Sequence, residues 1–107
     1  MNSWVILIIA GLCEIVWALG LKSSEGLTKP YQSVVTIIFM AISVYLLAVA
    51  SRQIPMGISY TIWVGIGTIG TFIGNILIFN EKTTTFQIFF FTIVVIGIAG
   101  LKFTTND

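Results

Sequence analysis

The chain is organised around four long apolar stretches, at about 3–21, 33–50, 57–79 and 86–103. Each is long enough to cross the ~30 Å hydrocarbon core of a bilayer as a helix, which takes about 20 residues. Only 8% of the 107 residues are charged, whereas a soluble domain usually has about 25%, so charges are too few to cover a water-facing surface. We therefore expect an all-α membrane protein with four transmembrane helices, forming one domain over residues 1–107.

The segments between the stretches are short. "KSSEGLTKPYQ" follows the first stretch, and we expect its Gly26 and Pro30 to break the helix. Pro55 in "SRQIPM" suits the first turn of the third helix, and "NEKTTT" joins the third stretch to the fourth. Because short connections make neighbouring helices antiparallel, the sequence predicts an up-and-down bundle with both termini on one side of the membrane.

The basic residues divide almost evenly between the two ends of this bundle. Arg52 and Lys102 fall at one end, and Lys22, Lys29 and Lys82 at the other. Cytoplasmic loops usually carry an excess of Lys and Arg, which sets the orientation, and here that excess is nearly absent. Two alternatives stay open on charge alone: insertion in one orientation, or insertion in both.

Glu14 is the one charged residue between Ser3 and Leu21. It lies about 16 Å along the first helix at 1.5 Å per residue, close to mid-membrane. An ionisable group at that depth usually faces a cavity or a partner and marks a functional site. No Lys or Arg occurs mid-span, so we expect the partner to be a proton or a transported cation. The alternative is a permanently protonated glutamate that is hydrogen-bonded to another helix.

Several residues are predicted to form a pocket around this acid. Gly11 and Trp17 lie three positions before and after it, and therefore on the same helical face. We expect Gly11 to leave space and Trp17 to form an aromatic wall. Tyr60 and Trp63 form a second aromatic pair in the third stretch, and Ser43 is a mid-span hydroxyl in the second. Aromatic rings with O–H or N–H groups can orient a carboxylate and bind cations through their faces, although ordinary packing explains them too.

Small residues in the third and fourth stretches have two interpretations. Gly65 and Gly67 in "GIG" permit a hinge or close helix packing, and Gly97 indicates a packing surface between subunits. We expect Asn75 to make an interhelical hydrogen bond rather than a ligand contact. Four short helices can hardly enclose a hydrated pocket, whereas a dimer would place two copies of Glu14 in one chamber.

Composition argues against several other functions. The chain has no histidine and one cysteine, Cys13, so it offers neither a metal-ligand cluster nor an intramolecular disulfide. The net charge of +1 does not suggest a nucleic-acid partner. Nothing in the sequence supports an enzyme, and we expect no cofactor.

The motifs "GLCEIVWALGLK", "SVYLL", "PMGISYTIWVGIG" and "GIAGLK" give the chain a close resemblance to the small multidrug resistance family over nearly its whole length. Within that family it looks like the guanidinium-exporter subtype. The subtype pattern G-x-x-E-V/I-V-W-A is met by Gly11, Glu14, Val16, Trp17 and Ala18. The "GLK" ending at Lys102 matches the same subtype.

The resemblance implies a function and an assembly. Members are antiparallel homodimers of dual topology in the bacterial inner membrane, and they exchange cytoplasmic small organic cations for external protons. By motif, Glu14 would bind both proton and substrate, and Ser43, Trp17, Tyr60 and Trp63 would surround it. We expect the two carboxylates to titrate as a coupled pair, with exclusive occupancy by proton or cation as the basis of exchange.

Three residues depart from the subtype pattern: Thr61, Phe72 and Asn75. They predict a pocket that could also admit alkylated or quaternary cations. The alternatives to a guanidinium exporter are therefore a broader exporter of quaternary ammonium and lipophilic cations, a cation channel and a membrane scaffold that transports nothing. Some members of the family are heterodimers of paired chains, but the near-even charge count favours a homodimer.

Overall fold

The computed structural model describes residues 2–104, which form four helices joined by short turns. They are α1 (Ser3–Ser23), α2 (Pro30–Ala50), α3 (Met56–Ile78) and α4 (Thr85–Thr104). All four are long and apolar enough to cross a membrane, which confirms the predicted all-α fold with four helices. Many large apolar side chains point outward, as suits a surface that lipid surrounds.

Local sequence explains where several helices begin. The Asn2 side chain caps α1 by accepting a hydrogen bond from the backbone N–H of Trp4 at 2.7 Å. A capping box opens α4, because Thr84 accepts from the N–H of Gln87 and the Gln87 side chain accepts from the N–H of Thr84. No helix continues across Pro30, as expected, but Pro30 lies in α2 and not in the connection. Pro30 begins α2, since its ring fixes a helical φ and the first turn needs no N–H.

The turn between α1 and α2 is built around the buried Ser24. The Ser24 hydroxyl donates to the carbonyl of Leu21 and accepts from the N–H of Leu27. Its own carbonyl accepts from the N–H of Thr28. Gly26 has φ of +73°, a conformation that costs glycine little. The chain thereby reverses direction within a few residues and sends α2 back antiparallel to α1.

Helix α1 lies between α2 and α3 and packs extensively against both. The shared core includes Leu7 and Ala10 of α1, Leu47 of α2, and Ile62 and Trp63 of α3. Helix α4 packs its backbone against α3 alone and has no buried residue in the described part of the chain. The single chain is therefore a three-helix core with a fourth helix on its flank.

Glycines on α3 allow α1 to approach closely. A Cβ on Gly70 would overlap the side chain of Ile15, and a Cβ on Gly74 would lie 2.8 Å from a methyl group of Leu19. Small residues at such contacts are the usual means of bringing membrane helices together. Gly70 and Gly74 therefore lie on the α1-facing side of α3.

Two side-chain contacts tie the ends of the bundle. At one end, Lys22 forms an ion pair with Glu81 and lies over the ring of Phe79, 4.8 Å from its centroid. At the other end, the Lys102 ammonium lies 4.3 Å from the centroid of the Trp4 ring. The contacts agree with the alternating helix directions that the short loops predict.

Candidate functional site

Glu14 extends from α1 against the backbone of α3 at Gly67. A Cβ at Gly67 would lie 2.5 Å from Oε1 and 2.7 Å from Oε2 of Glu14, so only glycine leaves room for the carboxyl group there. Oε1 is buried and has no hydrogen-bond partner among residues 2–104. Neither ion pair found in that range involves Glu14. Within residues 2–104, the acid is therefore held in place by shape and not by a hydrogen bond or ion pair.

The carboxyl group faces a groove of about 380 Å³ between α1 and α3. This volume lies in the lower part of the range typical of small-molecule sites, about 300–1,000 Å³. Helix α1 contributes Glu14 and Ala18, and helix α3 contributes Gly67, Thr68, Thr71, Phe72 and Asn75. The groove thus combines one acid with hydroxyl, amide and aromatic groups.

The polar side chains of α3 in this groove differ in what they bind. Thr68 donates its hydroxyl to the carbonyl of Val64 at 2.7 Å. The hydroxyl oxygen of Thr71 is buried and has no partner within residues 2–104. The expected interhelical hydrogen bond of Asn75 is absent from that same part of the chain, and Asn75 lines the groove instead. The groove therefore offers at least two polar groups that its own helices leave unpaired.

A hydrogen-bonded network joins α1, α2 and α3 about one turn of α1 before Glu14. The Trp63 indole N–H donates to the Ser43 hydroxyl at 2.8 Å, and that hydroxyl donates to the carbonyl of Ala10 at 2.7 Å. Ser43 is completely buried. The Tyr60 ring packs on Trp63 with a centroid distance of 5.6 Å. The network links α1, α2 and α3 four residues before Glu14 and so fixes the helix that carries the acid.

Two residues predicted to shape the pocket from α1 serve as packing in the single chain. The space expected beside Gly11 is filled by Ile66 of α3, whose Cβ would lie 2.7 Å from an added Cβ. Trp17 packs against the apolar core and does not line the groove of Glu14. Its indole N–H is nevertheless buried without a partner among the residues described.

Other predicted residues lie on a second groove, of about 660 Å³, between α3 and α4. Tyr60, Thr61, Gly65 and Gly97 all line it, so the single chain does not bring Tyr60 and Thr61 to Glu14. The Thr61 hydroxyl donates to the carbonyl four residues earlier. An added Cβ on Gly65 would overlap Ile98, whereas Gly97 has open space around it. Gly65 is thus a packing position within a continuous α3, and the hinge stays a prediction.

Thr68 and Thr71 are groove residues that the sequence reasoning missed. A signal was present, because Gly67, Thr71 and Asn75 recur every four residues and so share one face of a helix. Of the glycines in this segment, only Gly65 and Gly67 were interpreted from the sequence, as a hinge or a packing contact.

Comparison with known proteins identifies the family of the chain. The model of the Small Multidrug Resistance protein family matches residues 2–103. The chain belongs to this family. Similar proteins include a guanidinium exporter of Proteus vulgaris, 44% identical over 100 residues, and one of Yersinia pseudotuberculosis, 43% identical over 100 residues. Each alignment covers 94% of this chain and 96% of the relative. A guanidinium exporter of Citrobacter freundii is 41% identical over 104 residues, covering 97% and 99%.

The family membership confirms the resemblance that the motifs around Glu14 and in α3 predicted. The family consists of transporters and not of enzymes. Together with the four apolar helices, it makes the chain an integral membrane protein of the bacterial inner membrane.

Proposed function

We propose that the chain is a proton-coupled antiporter that exports guanidinium or guanidinium-like small cations, working as an antiparallel homodimer of dual topology. The observation that carries the proposal is the Glu14 carboxyl group, which lies mid-helix, faces a groove and has no basic partner among residues 2–104. Near-full-length relatives named guanidinium exporters support the choice of cation.

Guanidinium suits a carboxylate for geometric reasons. The ion is planar, and pairs of its N–H groups match the two carboxylate oxygens bidentately. Its remaining N–H groups need acceptors in a site that excludes water. The Thr68 hydroxyl oxygen lines the groove of Glu14 and can still accept after donating its proton to Val64, so it is an acceptor of the required kind.

Coupling follows from exclusive occupancy of the acid. A carboxylate that binds the cation cannot hold a proton at the same time. Protons arriving from outside release the cation, and a cation arriving from inside displaces the protons. In a dimer the two Glu14 groups would share one chamber and titrate as a pair.

Features of the single chain support a dimer. Helix α4 has no buried residue in the described chain, and a Cβ on Gly97 or Gly100 would meet nothing within 4 Å. Small residues with open space suit a contact with another helix. The near-even division of basic residues, two at one end and three at the other, supports insertion in both orientations.

A broader exporter of quaternary ammonium cations is the second candidate, because Phe72 lines the groove beside Glu14. Cations without N–H donors would bind through aromatic faces and charge alone. A membrane scaffold and an uncoupled cation channel are the candidates from other classes.

Uptake into proteoliposomes tests these functions together. With an acidic lumen, we expect guanidinium to accumulate, tetramethylammonium to accumulate much less, and proton efflux to accompany the cation. Glu14→Gln should abolish the exchange, while Glu25→Gln, in the exposed turn after α1, should leave it intact. Preference for tetramethylammonium would favour the second candidate. Electrogenic flux without proton movement would indicate a channel, and no flux at all would indicate a scaffold.

A further inference from the structure

Thr71 differs from the other threonines in the interiors of the helices. Inside a helix, a threonine hydroxyl commonly donates to the carbonyl four residues earlier. Thr36, Thr61, Thr68 and Thr92 all do so, at 2.7–2.8 Å. Thr71 does not, and its buried oxygen has no partner in the described chain. No residue in 2–104 therefore competes for this hydroxyl, and a rotation about χ1 of Thr71 would turn it into the groove that the residue lines.

Thr71 lines the same groove as the acid. Glu14 contacts α3 at Gly67, and Thr71 is one turn further along, about 6 Å at 1.5 Å per residue. Asn75 lies a second turn further on the same face and also lines the groove. The Asn75 side chain takes no partner in residues 2–104, although its backbone carbonyl accepts from Phe79 and Glu81. The unpaired side chains of Thr71 and Asn75 thus follow Gly67 at intervals of one turn, towards the C-terminal end of α3.

The groove is larger than guanidinium requires. Its volume of about 380 Å³ corresponds to roughly a dozen water molecules at ~30 Å³ each. Guanidinium consists of one carbon and three nitrogens, so it would fill only the end of the groove beside Glu14. A buried hydroxyl that is left without a partner carries a desolvation penalty, which a polar group reaching Thr71 would remove.

We infer that Thr71 and Asn75 form a second subsite that selects singly substituted guanidinium ions with a polar tail. The guanidinium head binds Glu14, and a hydroxyl or N–H group about one helical turn away binds the Thr71 hydroxyl and the Asn75 amide. An apolar tail of equal length leaves both groups unpaired. The inference rests on the proposed function, because it assumes that Glu14 binds the guanidinium head.

The test compares two tails of equal size. Hydroxypropylguanidinium and butylguanidinium differ by a hydroxyl in place of a methyl group. We expect the wild-type protein in proteoliposomes to reach half-maximal transport at about three- to tenfold lower concentration of the hydroxyl compound, the ratio that one net hydrogen bond gives. Thr71→Val removes the hydroxyl at nearly constant shape and should bring this ratio to one or below, while unsubstituted guanidinium is still transported.

Three further variants separate binding from folding. Thr71→Ser keeps the hydroxyl and should keep the preference. Asn75→Leu should reduce the ratio, and Thr92→Val, on α4 with its hydroxyl already bonded within the helix, should not. Each variant is checked for a folded dimer by size-exclusion chromatography.

The outcomes are distinguishable from failure of the proposed function. If the wild type transports guanidinium but does not prefer the hydroxyl tail, or if Thr71→Val retains the preference, the subsite is refuted and the proposed function stands. If the wild type transports no guanidinium compound, the proposed function fails and the subsite fails with it.

Discussion

Replacing Gly67 by alanine tests whether Glu14 lies where the structure places it. The added Cβ would lie 2.5 Å from Oε1 and 2.7 Å from Oε2 of Glu14. Cβ atoms in real proteins essentially never lie closer than 3.0 Å to such a neighbour. The carboxyl group must therefore retreat by about 0.5 Å or more. Because a misplacement of about 1 Å at a reacting group can reduce a rate about 100-fold, we expect coupled guanidinium transport to fall about 10- to 100-fold.

The same substitution should not unfold the protein. The group that must move is the end of a flexible side chain, and alanine favours a helix over glycine by about 0.5–1 kcal/mol. Gly57→Ala is the matched control, since it lies on the same helix and its Cβ would meet nothing within 4 Å. Thermal melting in detergent and uptake in proteoliposomes measure the two effects. A Gly67→Ala protein that transports at the rate of the Gly57→Ala control would refute this placement of the carboxyl group.

Two more substitutions and one added residue test other parts of the account. Ser43→Ala leaves the buried Trp63 N–H without an acceptor, so we expect a loss of about 1–3 kcal/mol in stability, measured by thermal melting; an unchanged melting curve would contradict this. Trp17→Gly should weaken guanidinium relative to larger cations, and an unchanged affinity ratio to a quaternary ammonium would make Trp17 a packing residue. Adding one Lys after residue 107 should enrich one orientation and reduce activity, and a variant of opposite bias should restore it. Labelling of a cysteine at Asn2 in a Cys13→Ala background, from each side, measures orientation. Reaction of more than nine in ten wild-type copies from one side would exclude dual topology.

Hydropathy predicted the four helices correctly, because a bilayer allows few alternatives to apolar helices of this length. It also predicted Glu14 as a functional residue, since an acid in an apolar span with no basic residue nearby usually binds a proton or a ligand. Helix ends were predicted less well. The sequence predicts Pro30 in the connection, whereas it is the first residue of α2, because the property that stops a helix in its interior lets proline begin one.

The sequence did not predict which residues share a groove. A helix that is apolar on all sides has no polar face to distinguish lipid from neighbouring helices, so the face that each residue occupies depends on tertiary packing. Gly11 was expected to leave space, but Ile66 fills it. Tyr60 and Thr61 were expected beside the acid, but in the single chain they line the groove between α3 and α4.

The central claim is that a cation and a proton compete for Glu14. Its most direct test is the release of protons when guanidinium is added to the purified protein in weakly buffered detergent, followed with a pH indicator. The account predicts that the wild type releases protons in proportion to the guanidinium bound, and that Glu14→Gln releases none. Guanidinium binding by the wild type without proton release, or equal release by Glu14→Gln, would contradict it.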